Sequence, residues 1–192
     1  MTPDLRFSTL RAADLMAIER QDSQRRLFGL PAEMDADLAE QSATQPIAWC
    51  ARASEAGGRA RILACFGILE TFPGRQGTAW ALLAEGIGNA HLQLTRFIQG
   101  QIAGCGLARL ELVARAADIE DEIAQAEAAE FGGFNQAGLI RRAMRRATPE
   151  MRWAVLLGMQ PAYLLRQYGA EGETYMLFER IAPRAAVLEE AA

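Results

Sequence analysis

The chain has 192 residues, of which 51% are hydrophobic and 23% charged, a balance that predicts one folded domain with a sizeable core and excludes a disordered chain. Its formal net charge is -4, which argues against nucleic-acid binding because no overall basic field is present. No signal peptide or long apolar span occurs, so we expect neither secretion nor a membrane-spanning helix. The three cysteines are far apart in sequence, as expected for reduced core residues rather than disulfides or metal ligands.

The first segments of the chain are predicted to be a strand followed by two helices. Leu5–Leu10 is the strand, and a helix begins at about Ala12. A turn over residues 28–31 is expected to end that helix, and residues 35–41 form a second, polar helix. The residues of the first helix that are expected to face inward are Leu15, Ile18 and Met16.

Three apolar runs in the middle of the chain are predicted strands, and the glycine-containing turns between them favour antiparallel pairing. The strands are Ile47–Ala51, Arg61–Leu69 and Thr78–Leu83. The turns are Glu55–Gly58 and Phe72–Gly77. Trp80, in the third strand, is interpreted as a core residue rather than as the wall of a ligand pocket.

The third strand leads into four residues, Gly86-Ile87-Gly88-Asn89, which we term the glycine turn. From Ala90 to Ala103 apolar residues recur at helical spacing, so a helix follows directly. A strand, a glycine turn and a helix in this order leave unpaired backbone N–H groups at the helix start, where a phosphate or carboxylate binds well. The sequence therefore predicts an anion-binding site formed by Gly86, Ile87, Gly88 and Asn89.

The second half of the chain continues with a strand, a helical insertion and a closing hairpin. Leu107–Val113 is the strand, expected to run parallel to Thr78–Leu83 because a helix connects the two. Thr148-Pro149-Glu150 has the residue types of a helix start, and that helix ends near Gly158. The closing segments are the strands Ala162–Tyr168 and Glu173–Ile181 and an expected flexible tail at 185–192.

Residues 117–147 differ from their surroundings and are interpreted as an insertion before the last helix. Acidic residues run from Asp118 to Glu130, Phe131–Phe134 contains a glycine hinge, and arginines run from Arg141 to Arg146. The two halves either pair as solvated helices or form a docking arm, Asp118–Arg146, for a partner protein. The second reading would relieve the repulsion between arginines at i, i+4 spacing, with the two phenylalanines of the hinge as apolar anchors.

The order of these elements is similar to that of the GNAT-superfamily N-acetyltransferases. Arg6 with Asp14–Ile18 resembles the family's opening strand and first helix, and Gly86-Ile87-Gly88 resembles half of its acyl-CoA pyrophosphate loop. Trp153–Met159 resembles its late helix, and Gly169–Phe178 its closing hairpin. The resemblance implies an α/β (α+β) fold, in which a mixed, mostly antiparallel central sheet is flanked by helices. It places one domain over residues 1–184.

A closer resemblance is to the GNAT-like proteins of tailed bacteriophages, a family that includes internal-virion and head-morphogenesis proteins of podoviruses. It is carried by Ala64–Ile68, Gly77–Leu83, His91 and Met151–Gly158. This resemblance implies a viral protein located in the host cytoplasm or in the phage particle. Its partners would be other phage or virion proteins, with neither nucleic acid nor a membrane among them.

The resemblance also implies acetyl-CoA as the cofactor if the site is active, yet several positions depart from the family's residues. The family's loop begins with Gln or Arg where Leu83 stands. Glu85 adds a carboxylate to the loop, and such a charge repels a pyrophosphate by roughly 1 kcal/mol at contact even in water. Ala154 matches the tyrosine that protonates the leaving thiolate in the family. Tyrosines at other positions that are possible substitutes are Tyr163, Tyr168 and Tyr175.

His91 and Glu70 are the remaining candidates for proton transfer. His91, the only histidine, either acts as an acid or base or helps to close the helix start. Glu70 is either a base for the incoming amine or a solvated surface carboxylate. The sequence therefore favours a non-catalytic protein with a degraded acyl-transfer site that acts in virion assembly or in the particle, with no cofactor assured and no metal. The alternative is an active acetyl-CoA-dependent N-acetyltransferase on an unknown amine.

Overall fold

The computed structural model describes residues 5–25, 34–54, 60–117, 120–129, 136–169 and 171–183. Four predictions fall outside these ranges: the turns at 28–31 and 55–58, the hinge at 131–134 and the tail at 185–192. No helix within the described ranges is long and apolar enough to cross a membrane.

Seven strands and seven helices are present in the described ranges. The strands are β1 (Leu5–Thr9), β2 (Ile47–Ser54), β3 (Ala60–Phe72), β4 (Gln76–Leu83), β5 (Arg109–Arg115), β6 (Gln160–Leu165) and β7 (Tyr175–Ile181). The helices are α1 (Ala12–Ala17), α2 (Asp22–Arg25), α3 (Ala36–Ala43), α4 (Ala90–Gly104), α5 (Glu120–Ala129), α6 (Gln136–Arg145) and α7 (Pro149–Leu156). Hydrogen bonding orders the strands β1-β2-β3-β4-β5-β7-β6. The predicted mixed α/β fold, a sheet flanked by helices, is confirmed.

By its internal contacts the chain divides into two units, residues 1–110 with 182–192 and residues 111–181. In the first unit, β1 to β4 pair antiparallel in sequence order. For β2, β3 and β4 this pairing was predicted from the turns between them. In the second unit, β6 and β7 pair antiparallel as the closing hairpin. A single domain over residues 1–184 stays a prediction.

The core of the first unit lies between α1 and α3 and the face of the antiparallel strands β2, β3 and β4 that these helices cover. Cys50 and Cys65 lie opposite each other on β2 and β3, are fully buried and are free thiols, as expected of reduced core residues. The neighbouring thiol of Cys50, together with burial, raises the pKa of Cys65, which disfavours the reactive thiolate form. Trp80 packs against the same core, as predicted. Other buried members are Leu10, Leu15, Ile18, Ala39 and Leu82.

The first helix is shorter than predicted, and one of its three proposed inward residues is wrong. Helix α1 ends at Ala17, and Ile18 is already extended, with its N–H bonded to the carbonyl of Asp14. The next residues turn towards β4, where Arg20 forms an isolated antiparallel bridge with Ala84. Residues after Ala17 therefore pair with the end of β4 instead of continuing the helix. Leu15 and Ile18 are buried, whereas Met16 is 53% exposed.

Helix α4 is held on the sheet by an aromatic cluster. Phe97 stacks flat on Phe7 of β1 with ring centroids 3.8 Å apart, and it meets the edges of Trp49 and Phe66 at 5.3 and 6.0 Å. The buried stripe of the helix contains the predicted apolar positions Leu94, Ile98 and Ile102. Because these contacts fix α4 against β1–β3, they also fix the glycine turn that precedes it.

In the second unit, the predicted helix start at Thr148 is confirmed. The Thr148 hydroxyl oxygen accepts a hydrogen bond from Met151 N at 3.2 Å and donates to the carbonyl of Arg115 at 2.8 Å. Helix α6 buries Leu139 and Ala143 and leaves its arginine side exposed. The segment predicted to be an insertion therefore contains two helices, α5 and α6, on either side of the hinge sequence.

Candidate functional site

The glycine turn has a backbone shape that its glycines permit. Gly86 and Gly88 both adopt left-handed conformations, with φ of 66° and 47°, a region that strains other residues. The turn closes when Ala90 N donates to the carbonyl of Ile87 at 3.1 Å and His91 N to that of Gly88 at 3.2 Å. Two of the N–H groups at the start of α4 that were predicted to be unpaired are therefore hydrogen-bonded within the turn.

The N–H groups of the turn itself remain available. Within the described ranges, no protein acceptor bonds to the backbone nitrogens of Gly86, Ile87, Gly88 or Asn89. Gly86, Gly88 and Asn89 are exposed, and the Asn89 side chain does not cap the helix. Consecutive N–H groups on a left-handed turn form a concave anion site. The geometry of the turn is therefore compatible with the predicted anion site.

Glu85 is occupied in a way that the sequence did not reveal. Its carboxylate accepts a hydrogen bond from Asp22 N at 3.0 Å, at the start of α2, and its own N–H donates to the carbonyl of Glu19 at 3.2 Å. A carboxylate is a favourable partner for the N–H groups at a helix start. The residue that we expected to repel a pyrophosphate thus also joins the end of β4 to the segment before α2.

Arg61 brings a cationic side chain to the glycine turn, and sequence reasoning missed it. Its guanidinium donates to the carbonyl of Glu85 at 2.6 Å, while Leu83, at the position of the family's Gln or Arg, is buried. The register of the hairpin contained the signal. Because Ala64 pairs with Leu83, the first residues of β3 must lie beside the residues that follow β4.

Near the glycine turn, the backbone groups on the edge of β4 that faces away from β3 are already hydrogen-bonded to other parts of the chain. Ala84 N donates to the carbonyl of Leu63 on β3 at 2.9 Å. Backbone groups alternate sides along an antiparallel strand, so those of Ala81 and Leu83 face the other edge. At the opposite end of the strand, the carbonyl of Arg75 accepts from Arg109 N at 3.0 Å.

Two glutamines form hydrogen bonds with the backbone N–H and C=O groups of Ala81 and Leu83. The amide of Gln24 donates to the carbonyl of Ala81 at 3.2 Å and accepts from Leu83 N at 2.6 Å. Gln21 N donates to the carbonyl of Leu83 at 3.0 Å. Gln24 is only 6% exposed, and its amide takes the place of a peptide group on a paired strand. We call residues Gln21–Gln24 the edge segment.

His91 follows the glycine turn and is partly buried. Burial lowers its pKa below the ordinary value, so the ring is neutral at physiological pH. The hydroxyl of Thr95 donates to the carbonyl of His91 at 2.7 Å and lies 3.4 Å from Nδ1. Since a hydroxyl has one proton, this contact favours the tautomer protonated on Nδ1, with Nε2 as the basic nitrogen.

Glu70 is not brought together with His91. Its carboxylate accepts a hydrogen bond from Gly74 N at 2.7 Å, inside the turn between β3 and β4. The glycine turn lies past the other end of β4, and seven residue steps of a strand span roughly 23 Å. The contact gives Glu70 a role in closing the hairpin.

The candidates from the late helix and hairpin belong to the second unit, whereas the glycine turn belongs to the first. Ala154 is buried on α7 and Tyr175 on β7, while Tyr163 and Tyr168 are about half exposed. The rings of Tyr168 and Tyr175 meet edge to face at 5.6 Å. Among the described residues, no cluster of three His, Cys, Asp or Glu side chains has the arrangement of a metal site.

No protein-family model and no curated protein matches the chain, but solved structures match it over almost its whole length. The loading GNATL domain of CurA from Lyngbya majuscula has a TM-score of 0.62 at 10% identity, covering 93% of this chain and 98% of that one. The GphF GNAT-like decarboxylase in complex with isobutyryl-CoA has a TM-score of 0.57 at 12% identity, covering 93% of this chain and 98% of that one. The aminoglycoside 6'-N-acetyltransferase from Enterococcus faecium has a TM-score of 0.55 at 14% identity, with the same two coverages of 93% and 98%. The chain has the GNAT fold, and the closer resemblance to phage proteins stays a prediction.

Proposed function

We propose that this chain is a GNAT-fold protein whose acyl-transfer site is degraded and which acts through protein contacts, in the assembly of a tailed-phage virion or as a component of the particle. The observation that carries the proposal is the edge segment on β4. The phage setting rests on the sequence resemblance alone, through Ala64–Ile68, Gly77–Leu83 and Met151–Gly158.

The edge segment bears directly on cofactor binding. GNAT neighbours have been solved in complex with isobutyryl-CoA and with coenzyme A, so the fold accommodates such ligands. In this family a splayed pair of strands is expected to hold the pantetheine arm, whose amides resemble those of a peptide. In this chain the Gln24 amide already satisfies Ala81 O and Leu83 N. A pantetheine arm on this edge would have to displace a buried side chain.

The proton-transfer groups support the same conclusion. Ala154 has no proton to donate where the family has a tyrosine, and Glu70 is bonded into a hairpin turn. The neutral His91 adds no positive charge to attract a pyrophosphate. What these candidates leave of an acyl-transfer site is the anion-compatible backbone of the glycine turn and the neutral imidazole of His91 that follows it.

The alternative is an active acetyl-CoA-dependent N-acetyltransferase on an unknown amine. Two observations favour it: the N–H groups of Gly86–Asn89, which have no acceptor among the described residues, and the guanidinium of Arg61 on the carbonyl of Glu85 just before them. A fold alone does not select a reaction, since GNAT-like neighbours include a decarboxylase as well as acetyltransferases.

Titration calorimetry with acetyl-CoA separates the two functions. The proposal expects no saturable heat up to 1 mM cofactor and no coenzyme A release in the presence of a panel of amines. Micromolar binding with turnover would establish the alternative. Mass spectrometry of purified particles from an infected host tests the virion role, and absence of the chain from both particles and assembly intermediates would remove it.

A further inference from the structure

The junction of α6 and α7 forms an open groove, which we call the arginine groove. It has a volume of about 660 Å³ and is lined by Met144, Arg145, Arg146, Ala147, Arg152, Val155 and Leu156. Ligand sites generally have volumes of about 300–1,000 Å³. All seven residues lie in the second unit, so the groove shares no residue with the glycine turn.

Three arginines line the groove, and no acidic residue is among its lining. Arg145 and Arg152 are exposed, and within the described ranges neither makes an ion pair or a side-chain hydrogen bond. Arg145 also follows Arg141 at i, i+4 spacing on α6, and such a like-charged pair destabilises a helix. Two of the arginines that line the groove therefore carry positive charge that no described residue pairs.

The aliphatic part of the groove's lining lies on a capped helix. Val155 and Leu156 are 45% and 60% exposed, although the same helix buries Met151 and Ala154. The hydroxyl cap of Thr148 fixes the first turn of that helix. Two large aliphatic side chains thus face solvent on a capped helix, next to Arg145 and Arg152, which make no ion pair within the described ranges.

We propose that the arginine groove binds an acidic segment of a partner protein, an inference that rests on the proposed function through protein contacts. A large apolar side chain of the segment would cover Val155 and Leu156, and its carboxylates would pair with Arg145 and Arg152. Guanidinium groups bind carboxylates through two parallel hydrogen bonds. Binding would neutralise the like charges and remove the exposed aliphatic surface in one step.

A nucleic acid fits the same groove less well. Proteins that bind single strands stack bases on aromatic side chains, and no aromatic residue lines this groove. The chain as a whole carries a net charge of -4, which repels a polyphosphate at long range. Charge and apolar surface together therefore favour a polypeptide with acidic and apolar residues.

Selection from a displayed library of random 12-residue peptides tests the inference with the intact chain. Three proteins serve as targets: the wild type, the groove variant Arg145→Glu/Arg152→Glu, and the control variant Arg6→Glu/Arg96→Glu. The control reverses two exposed arginines outside the groove, so it changes the net charge by the same amount. Equal unfolding temperatures by differential scanning fluorimetry establish that all three are folded.

The expected result is recovery, on the wild type and the control, of peptides enriched in Asp or Glu beside a large apolar residue. Fluorescence anisotropy should show their binding weakened at least tenfold by Arg145→Glu/Arg152→Glu, by Leu156→Asp, and by 300 mM salt. A library that yields no binders, binders without acidic residues, or binders indifferent to the groove variants would overturn the inference. Tighter groove-dependent binding of a labelled thymidine 12-mer would overturn it in favour of nucleic acid. The acetyl-CoA titration concerns the first unit, so either proposal can fail without the other.

Discussion

Replacing Gln24 by Ala tests whether the edge segment really occupies β4. The change removes two hydrogen bonds, those to Ala81 O and Leu83 N, and leaves the bond from Gln21 N to Leu83 O in place. A neutral hydrogen bond contributes about 0.5–1.5 kcal/mol net, so the free energy of unfolding should fall by about 1–3 kcal/mol. Urea unfolding, followed by circular dichroism, measures this loss. Gln41→Ala, at an exposed position on α3, is the matched control and should change little.

The same variant should bind acetyl-CoA more tightly, because the cofactor no longer has to displace a buried amide. A contribution of about 1–3 kcal/mol corresponds to a change of about 5- to 150-fold in affinity. Calorimetry on the wild type, Gln24→Ala and Gln41→Ala measures it. Unchanged stability would show that the edge contacts are not made in solution. Equal acetyl-CoA affinity in all three proteins, including no binding in any, would refute the idea that Gln24 blocks the edge.

Three further predictions concern the turn, its histidine and the last helix. Gly88→Ala should lower the free energy of unfolding by about 1–2 kcal/mol because of its left-handed backbone, whereas Gly100→Ala in α4, where a Cβ has open space, should raise it by about 0.5–1 kcal/mol; urea titrations compare the two. Since burial lowers the pKa of His91, its contribution to stability is complete above the unfolded value of about 6.5 and is lost as the pH falls below it. Between pH 7.5 and 5.5 the wild type should therefore lose more stability than His91→Gln, and equal losses would count against the burial. Thr148→Ala should cost about 0.5–2 kcal/mol through the lost cap of α7, and a smaller loss in chemical denaturation would show that the cap is not formed.

The elements that could be predicted are those whose pattern is local. Helix α4 has an unbroken apolar stripe, and the β3–β4 hairpin has two apolar runs around a Pro-Gly turn, so neighbouring residues alone determine each one. At the start of α7, the cap Thr148 and the N–H that it accepts from, that of Met151, lie within four residues of each other. In these cases the partner of each backbone group is close in sequence, and the residue types show where it lies.

The parts of the site that sequence reasoning missed depend on contacts between distant residues. Gln24 lies 57 and 59 positions from the two residues that it bonds, and nothing in the helical periodicity around Ala12 indicates that the chain will leave the helix for a strand edge. Arg61 was accessible in principle, since hairpin register places it beside Glu85. The charge of Glu85 indicates repulsion of an anionic ligand, whereas its partner in the fold, the N–H of Asp22, lies 63 positions away in the sequence.

The occupied edge and the apolar residue before the glycine turn have a common physical consequence. Buried N–H and C=O groups must be bonded to something, and a strand edge without a neighbour leaves both kinds unpaired. If pantetheine filled this edge of β4, no side chain would be needed there. Gln24 supplies both a donor and an acceptor from one buried amide, which makes the edge stable without a cofactor. Leu83 donates its N–H to the same amide, and its side chain is buried. A Gln or Arg at this position would therefore also have to leave the core to reach a phosphate. Gln24→Ala should therefore restore part of the cofactor affinity, and a second change, at the end of β4, should add to it.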